Sequence, residues 1–490
     1  MPPATAEVAD LVDAPAAGGV ALRGGVLRTA GYAGGVLLAV LSAPLLIRHL
    51  GTVEFGRYST VLAVVLVIAG LTEGGLNTIA VRELSTAPDR AARDRAMGEL
   101  LGLRLVLSGA GVALAVAFTA LAGYGSSLVL GTLLAGAGMI GVLTQSLLAA
   151  ELQSRLRFGW ATALDFGRQL LLTTLVVALV VAHAGVVAFL SLTIPAGMVG
   201  LAAVVVLVRG SIGLRPALRP HRWMPLLQDT LVYAVAIAVN SLCFRVTLII
   251  MSLVATAHET GVFAISFRIM EVLIGVPAIL LGAAFPIVAR SVLADRARFD
   301  ASVARMFGLA LLAGTATALS VVLAAPFAIA ALTGSADHPA TAVLRIQGAG
   351  VAATFVAAAA AFPLLGLRRT RALLLANLGA LITVTTLTLT LAPRLGAQGA
   401  ALAAVAAEAL LATASTVALT RSGGPALPLR EVPLTLALGA AALALGWAAG
   451  VHPLVQATAG LLSFAALLKL TRRFPPELAE LLRRRTVTAA

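Results

Sequence analysis

Uninterrupted apolar runs recur from residue 27 to residue 471, and nothing else in the chain limits its fold so strongly. Each run is about 18–28 residues long, enough to cross a bilayer as a tilted helix. Lipid offers no partner for backbone N–H and C=O groups. Only helices or closed barrels therefore span it. The runs are continuous and do not alternate between apolar and polar, which excludes a transmembrane barrel. Composition agrees: 60% of residues are hydrophobic and 11% charged, against roughly 25% charged in a soluble domain. The expectation is an all-α polytopic membrane protein with about 14 transmembrane helices. Their approximate limits are 27–47, 59–81, 100–122, 127–150, 161–182, 186–208, 229–254, 262–289, 304–325, 341–366, 372–391, 399–420, 432–450 and 454–471.

The net charge of +14 suggests no nucleic-acid partner, because the arginines form no basic face with aromatics. They lie in short loops: Arg82, Arg90, Arg93 and Arg95; Arg155 and Arg157; Arg209, Arg215, Arg219 and Arg222; Arg290, Arg296, Arg298 and Arg305; Arg368, Arg369 and Arg371. The opposite loops hold Arg48, Arg57 and Arg394. By the positive-inside rule this pattern places both termini in the cytoplasm and requires an even number of spans. Basic loops of this kind also meet anionic membrane lipids. Residues 1–25 are polar and rich in Ala, Pro and Gly, and are expected to be a disordered cytoplasmic lead-in. The single cysteine, Cys243, excludes a disulfide framework, and the six histidines lack metal-ligand spacing. No Gly-Lys-Ser/Thr phosphate loop is present, so the chain is not expected to be an ATPase or any other enzyme.

An internal repeat divides the chain. Glu54-Phe55-Gly56-Arg57-Tyr58, a run ending in Val81-Arg82, and Asp89-Arg90-Ala91 return as Glu259-Thr260-Gly261-Val262-Phe263, Ala289-Arg290 and Asp295-Arg296-Ala297. His183-Ala184-Gly185-Val186 returns as Ala397-Gln398-Gly399-Ala400. Two parallel six-helix lobes around a central cavity are expected, with two extra C-terminal helices. The predicted divisions are an N-lobe at 26–208, a cytoplasmic linker at 209–228, a C-lobe at 229–420, spans 13 and 14 within 421–471, and a basic tail at 472–490. A plain loop is favoured for the linker over an interfacial helix around Trp223.

These landmarks also carry a family resemblance. Leu50-Gly51-Thr52-Val53-Glu54-Phe55-Gly56-Arg57-Tyr58, Val81-Arg82-Glu83-Leu84, the run from Gly261 to Pro286, and Leu395-Gly396-Ala397-Gln398-Gly399-Ala400 together resemble the oligosaccharide (O-antigen type) flippases. That family is part of the multidrug/oligosaccharidyl-lipid/polysaccharide exporter superfamily. The resemblance implies a flippase in the bacterial inner membrane that moves a polyprenyl-diphosphate-linked glycan by alternating access. It also implies polysaccharide polymerase and glycosyltransferases as partners in cell-surface polysaccharide biosynthesis. The family often carries an Asp late in span seven, in a pattern like Arg-Ile-Asp-Arg. Here Arg245-Val246-Thr247-Leu248 stands in its place, so coupling through that carboxylate is not implied.

A diphosphate head crossing hydrocarbon needs groups that replace its water, and Arg offers a permanent charge and a planar fork for phosphate oxygens. Charges inside spans cost about 2.5–3.5 kcal/mol on insertion scales, which makes each one a candidate. The hairpin 231–289 carries Arg245, Arg268 and Glu271, and Arg28 at the start of span one is expected to face it. Asp165 and Arg168, with Gln169 beside them, share one helical face. They either neutralise each other, as Arg268 and Glu271 also can, or bind substrate. Asn240 is a further substrate-contact candidate, or helix glue like Asn377. Glu73 in Thr72-Glu73-Gly74-Gly75 is the candidate for proton or sodium coupling, and Glu408 is a second lone carboxylate. Arg104 is expected to snorkel to a span end. No cofactor is expected. Two rival functions stand beside the flippase: a lipid II or multidrug exporter of the same fold, and a non-transporting cell-wall assembly scaffold.

Overall fold

The computed structural model describes residues 17–73, 75–219, 245–282, 296–422, 427–450 and 452–473, with isolated positions at 223, 239, 242 and 243. All regular structure among them is helical. Among the described residues, eleven helices are long and apolar enough to cross a membrane. The protein is therefore an all-α, multi-pass membrane protein, as the apolar runs predict.

The first unit, Met1–Ile249, contains α1 (Ala17–Glu73), α2 (Leu76–Thr86), α3 (Arg90–Leu121), α4 (Ser126–Ser154), α5 (Phe158–Val181), α6 (Val186–Ser191) and α7 (Thr193–Val208). A further helix, α8 (Arg245–Val254), is the described part of the predicted seventh span. At 1.5 Å per residue, the 57 residues of α1 far exceed the roughly 30 Å hydrocarbon core. The chain turns instead at Gly51, whose φ of 70° lies in the left-handed region. Residues 51–58, which head the repeat, thus begin at a bend between two crossings. α1 packs on α5, α3 on α4, and α4 on α7. Their shared core, which includes Leu76, Met97, Leu100, Leu147 and Val208, lies at the end of the bundle that carries the Arg-rich loops.

The second unit, Ile250–Ala490, contains α9 (Ala257–Gly282), α10 (Arg296–Thr333), α11 (Ala340–Gly366), α12 (Thr370–Arg421), α13 (Glu431–Ala448) and α14 (Pro453–Leu470). α12 repeats the device of α1: 52 residues are interrupted at Gly396, with φ 57°. α11 packs against both α10 and α12. The last two helices pair with each other and dock on α10 through Leu319, Leu323, Ala442, Ala457 and Phe464. Small residues at this contact let the helix backbones approach closely.

After α7 the chain runs without regular structure through residues 213–219. It lies on the start of α3. The Ala217 N–H donates to Gly98 O at 2.8 Å, and the Gly213 N–H donates to Asp94 Oδ1 at 2.6 Å. Arg219 stands 3.8 Å from Glu99. The strap lies directly over Gly102, where a Cβ would overlap Ala217 O.

Candidate functional site

A cavity of about 380 Å³ opens between α1 and α5 in the first unit. Arg28 and Tyr32 line it from α1, Asp165, Arg168 and Gln169 from α5, and Gln153 from the end of α4. The helices meet closely because Gly31 faces Thr162, where any larger side chain would overlap the Thr162 methyl. Spacing of i and i+3 puts Asp165 and Arg168 on one side of α5. The guanidinium groups of Arg168 and Arg28 both act electrostatically on the Asp165 carboxylate. No ion pair within 4 Å forms between Asp165 and Arg168 among the described residues, and Arg168 Nε is buried without a hydrogen-bond partner. Two cations thus share one carboxylate beside amide groups, leaving donor capacity for an anion.

Three of the residues singled out in the sequence, Arg28, Asp165 and Arg168, line this one cavity. Arg28 lines it from α1, against α5. The charges on α8, α9 and α12 behave differently. Arg268 donates from NH1 to Glu271 Oε2 at 2.8 Å within α9, the self-neutralising arrangement. Arg245 is half-buried on α8 next to the buried Thr247. Asn240 lies outside the described residues. Glu408 lies on α12, and Asn377 donates to Leu373 O at 2.8 Å.

Glu73 ends α1 and is not alone. Asn77 Nδ2 donates to Glu73 Oε1 at 2.9 Å and to Ser146 Oγ at 2.8 Å. Arg104 NH2 donates to Asn77 Oδ1 at 3.1 Å. Arg104 is 0% exposed, which corrects the expectation that it snorkels: a side chain tied to Asn77 and to Thr72 O cannot extend to a headgroup. Sequence reasoning missed Asn77, Ser146 and Arg104 as one cluster. The i+4 spacing of Glu73 and Asn77 was the only signal available, since Ser146 and Arg104 come from α4 and α3.

A model of the polysaccharide biosynthesis protein family matches residues 21–292. No curated protein sequence matches the chain. Among solved structures, the lipid II flippase MurJ in an inward closed conformation is similar, with a TM-score of 0.75 at 12% identity over 91% of this chain and 99% of that one. An inward-facing multidrug resistance MATE family transporter of the MOP superfamily follows, with a TM-score of 0.65 at 13% identity over 79% and 94%. A MOP superfamily transporter from Pyrococcus furiosus, described as having a binding pocket of reverse polarity, gives 0.56 at 14% identity over 82% and 95%. At these identities the likenesses establish the fold.

Proposed function

The chain belongs to the polysaccharide biosynthesis protein family, and from that premise we propose that it flips a polyprenyl-diphosphate-linked oligosaccharide across the bacterial inner membrane. Both termini face the cytoplasm, and the lobes work by alternating access. The glycan is delivered to a polysaccharide polymerase after glycosyltransferases have built it. One observation carries the reading: Arg28 and Arg168 line one open cavity with a single carboxylate, Asp165, and with Gln153 and Gln169. A diphosphate with about two negative charges matches two guanidinium groups, since Arg–phosphate pairs are charge-assisted and often bidentate. The amides suit sugar hydroxyls. Arg245 on α8 and Arg268 on α9 supply further cationic contacts, the latter after release from Glu271.

A proteoliposome assay tests this. Purified protein is reconstituted with a fluorescent polyprenyl-diphosphate disaccharide, and leaflet exchange is followed by quenching. Wild type should accelerate exchange, and Arg28→Gln/Arg168→Gln should abolish the acceleration. An unchanged rate in the double variant sinks the reading and favours the scaffold. A second reading, lipid II as cargo, is supported by the similarity to the lipid II flippase MurJ. The same assay with lipid II separates the two. A carrier of organic cations is disfavoured, because the cavity holds two Arg against one Asp.

A further inference from the structure

The cavity between α1 and α5 holds more than charges. Three of its 14 lining residues, Tyr32, Phe158 and Phe166, are aromatic, where the chain's 5% aromatic content would place fewer than one. An aromatic belt at a membrane surface turns its rings to headgroups and lipid. These three instead line one cavity with Gln153, Asp165 and Gln169. The glycines of α1 explain how the α5 side chains come in. A Cβ on Gly34 would meet the Phe166 ring at 3.0 Å, and one on Gly35 would meet Gln169 Cγ at 3.8 Å. With no side chain at either position, Phe166 and Gln169 lie against the α1 backbone. Phe166 keeps 38% of its surface exposed and Tyr32 59%.

The polar groups beside the rings are of mixed kind. A carboxylate only accepts hydrogen bonds, a carboxamide donates and accepts, and a phenol does either. Thr162 donates its hydroxyl to Phe158 O at 2.9 Å. Among the described residues, the amides of Gln153 and Gln169 and the Tyr32 hydroxyl make no hydrogen bond, so their capacity is open to the cavity. Aromatic faces next to such groups match a pyranose, which has an apolar face of C–H bonds and a rim of hydroxyls. The C–H face covers a ring and meets its negative π surface, while the rim reaches the amides and the carboxylate. A bare diphosphate is negative and only accepts hydrogen bonds. It can satisfy neither the rings nor Asp165, whereas a sugar hydroxyl donates to that carboxylate.

We infer that Tyr32, Phe158 and Phe166, with Gln153, Asp165 and Gln169, form a sugar-recognition subsite, through which the cavity selects a glycosylated polyprenyl diphosphate over the bare carrier. This subsite rests on the reading of the protein as a flippase of diphosphate-linked glycans, and it names the part of the cargo that sets specificity. The arginines hold the diphosphate that all such lipids share. The rings and amides hold the sugar joined to it, and Asp165 accepts from the sugar's hydroxyls. A carrier without sugar leaves these polar groups unpaired, which is how a site built around a hydroxyl rejects an analogue that lacks it. The protein thereby moves the glycosylated lipid and leaves the empty carrier behind.

Isothermal titration of the purified full chain in detergent tests it with two probes, farnesyl diphosphate and a farnesyl-diphosphate disaccharide. The readout is the ratio of their dissociation constants. Wild type should bind the glycosylated probe about tenfold more tightly, the gain expected from one or two hydrogen bonds with ring contact. Tyr32→Leu/Phe166→Leu should bring the two constants together. Gln169→Leu, which leaves the rings in place, should lower the ratio as well. Equal wild-type affinity for both probes, the result expected of a mere interfacial belt, overturns the subsite and leaves the diphosphate reading standing. So does a preference that survives in both variants. Wild type that binds neither probe removes the flippase reading and the subsite with it. The wild-type comparison needs no variant, so a substitution that fails to fold leaves the test decisive.

Discussion

Glu259 Oε2 accepts a 2.7 Å hydrogen bond from the backbone N–H of Ala397, 138 residues later in the chain. The bond caps the second half of α12 where it restarts after the bend at Gly396. It also joins the start of α9 to the middle of α12. The first unit joins its corresponding segments by other chemistry. His183 ends α5 in a left-handed conformation with φ 51°, and the turn presents Ala184 O to His49 Nε2 at 2.9 Å. His49 also lies 5.5 Å from the Phe189 ring. The sequence repeat paired Glu54 with Glu259, but Glu54 bonds Arg57 at 2.6 Å and makes a local contact only.

Removing the cap should destabilise the second unit. Glu259→Ala is expected to cost about 1 kcal/mol, typical of a lost N-cap. Gly396→Val should cost more, because the residue combines positive φ with a Cβ that would overlap the Glu259 carboxylate. Thermal unfolding in detergent, with both variants compared to wild type, checks the order.

Asp165 is the one carboxylate lining the cavity beside the two arginines. Asp165→Asn should therefore tighten binding of a polyprenyl diphosphate, by up to about tenfold for a change of roughly 1.4 kcal/mol, while slowing leaflet exchange through slower release. Isothermal titration with farnesyl diphosphate, beside the exchange assay, reads both. Weaker binding in the variant would mean that the carboxylate contacts the ligand directly.

Gly31 sets the width of the cavity. Gly31→Leu should wedge α1 from α5 and fill the space between them, at a stability cost of about 1–3 kcal/mol for overpacking. Ligand binding should disappear while the variant still elutes as a folded species in size-exclusion chromatography.

The strap over α3 depends on Gly98 and Gly102. Gly102→Val should lift residues 213–219 off the helix, since any Cβ there meets Ala217 O. Thermolysin cleavage at the Ala217–Leu218 bond should accelerate several-fold, the bond being protected only while docked. An unchanged digestion rate would show that the strap is already open.

His338, in the loop between α10 and α11, is held below its ordinary value of 6.5, first by burial and then by the neighbouring His258 imidazole. The unfolded chain therefore binds more protons than the folded one just below pH 6.5, so stability rises with pH through that window and is lost on acidification. His338→Asn should flatten this dependence in unfolding scans between about pH 5 and pH 7.

The apolar runs were legible in the sequence because a bilayer-length helix needs only a local composition, and lipid excludes the alternatives. The two bends were legible too, since Gly51 and Gly396 fall in Leu-Gly steps between apolar runs. Charged candidates stood out for the same reason: Arg28, Asp165, Arg168 and Glu73 interrupt stretches that otherwise hold no charge. Their partners did not stand out. Asp165 and Arg168 share the i,i+3 spacing of Arg268 and Glu271, yet only the latter pair closes within its helix, while the former lines a cavity together with Arg28 from α1. Arg104 looked like a residue able to reach the headgroups from a span end, and burial among α1, α2 and α4 decided otherwise. The sequence by itself determined that this chain crosses a membrane as helices and which charges it carries there. Tertiary packing alone decided which of those charges face a cavity, which neutralise each other and which, like Arg104, are buried against other helices, because a side chain's electrostatic partner is set by neighbouring helices and not by its own.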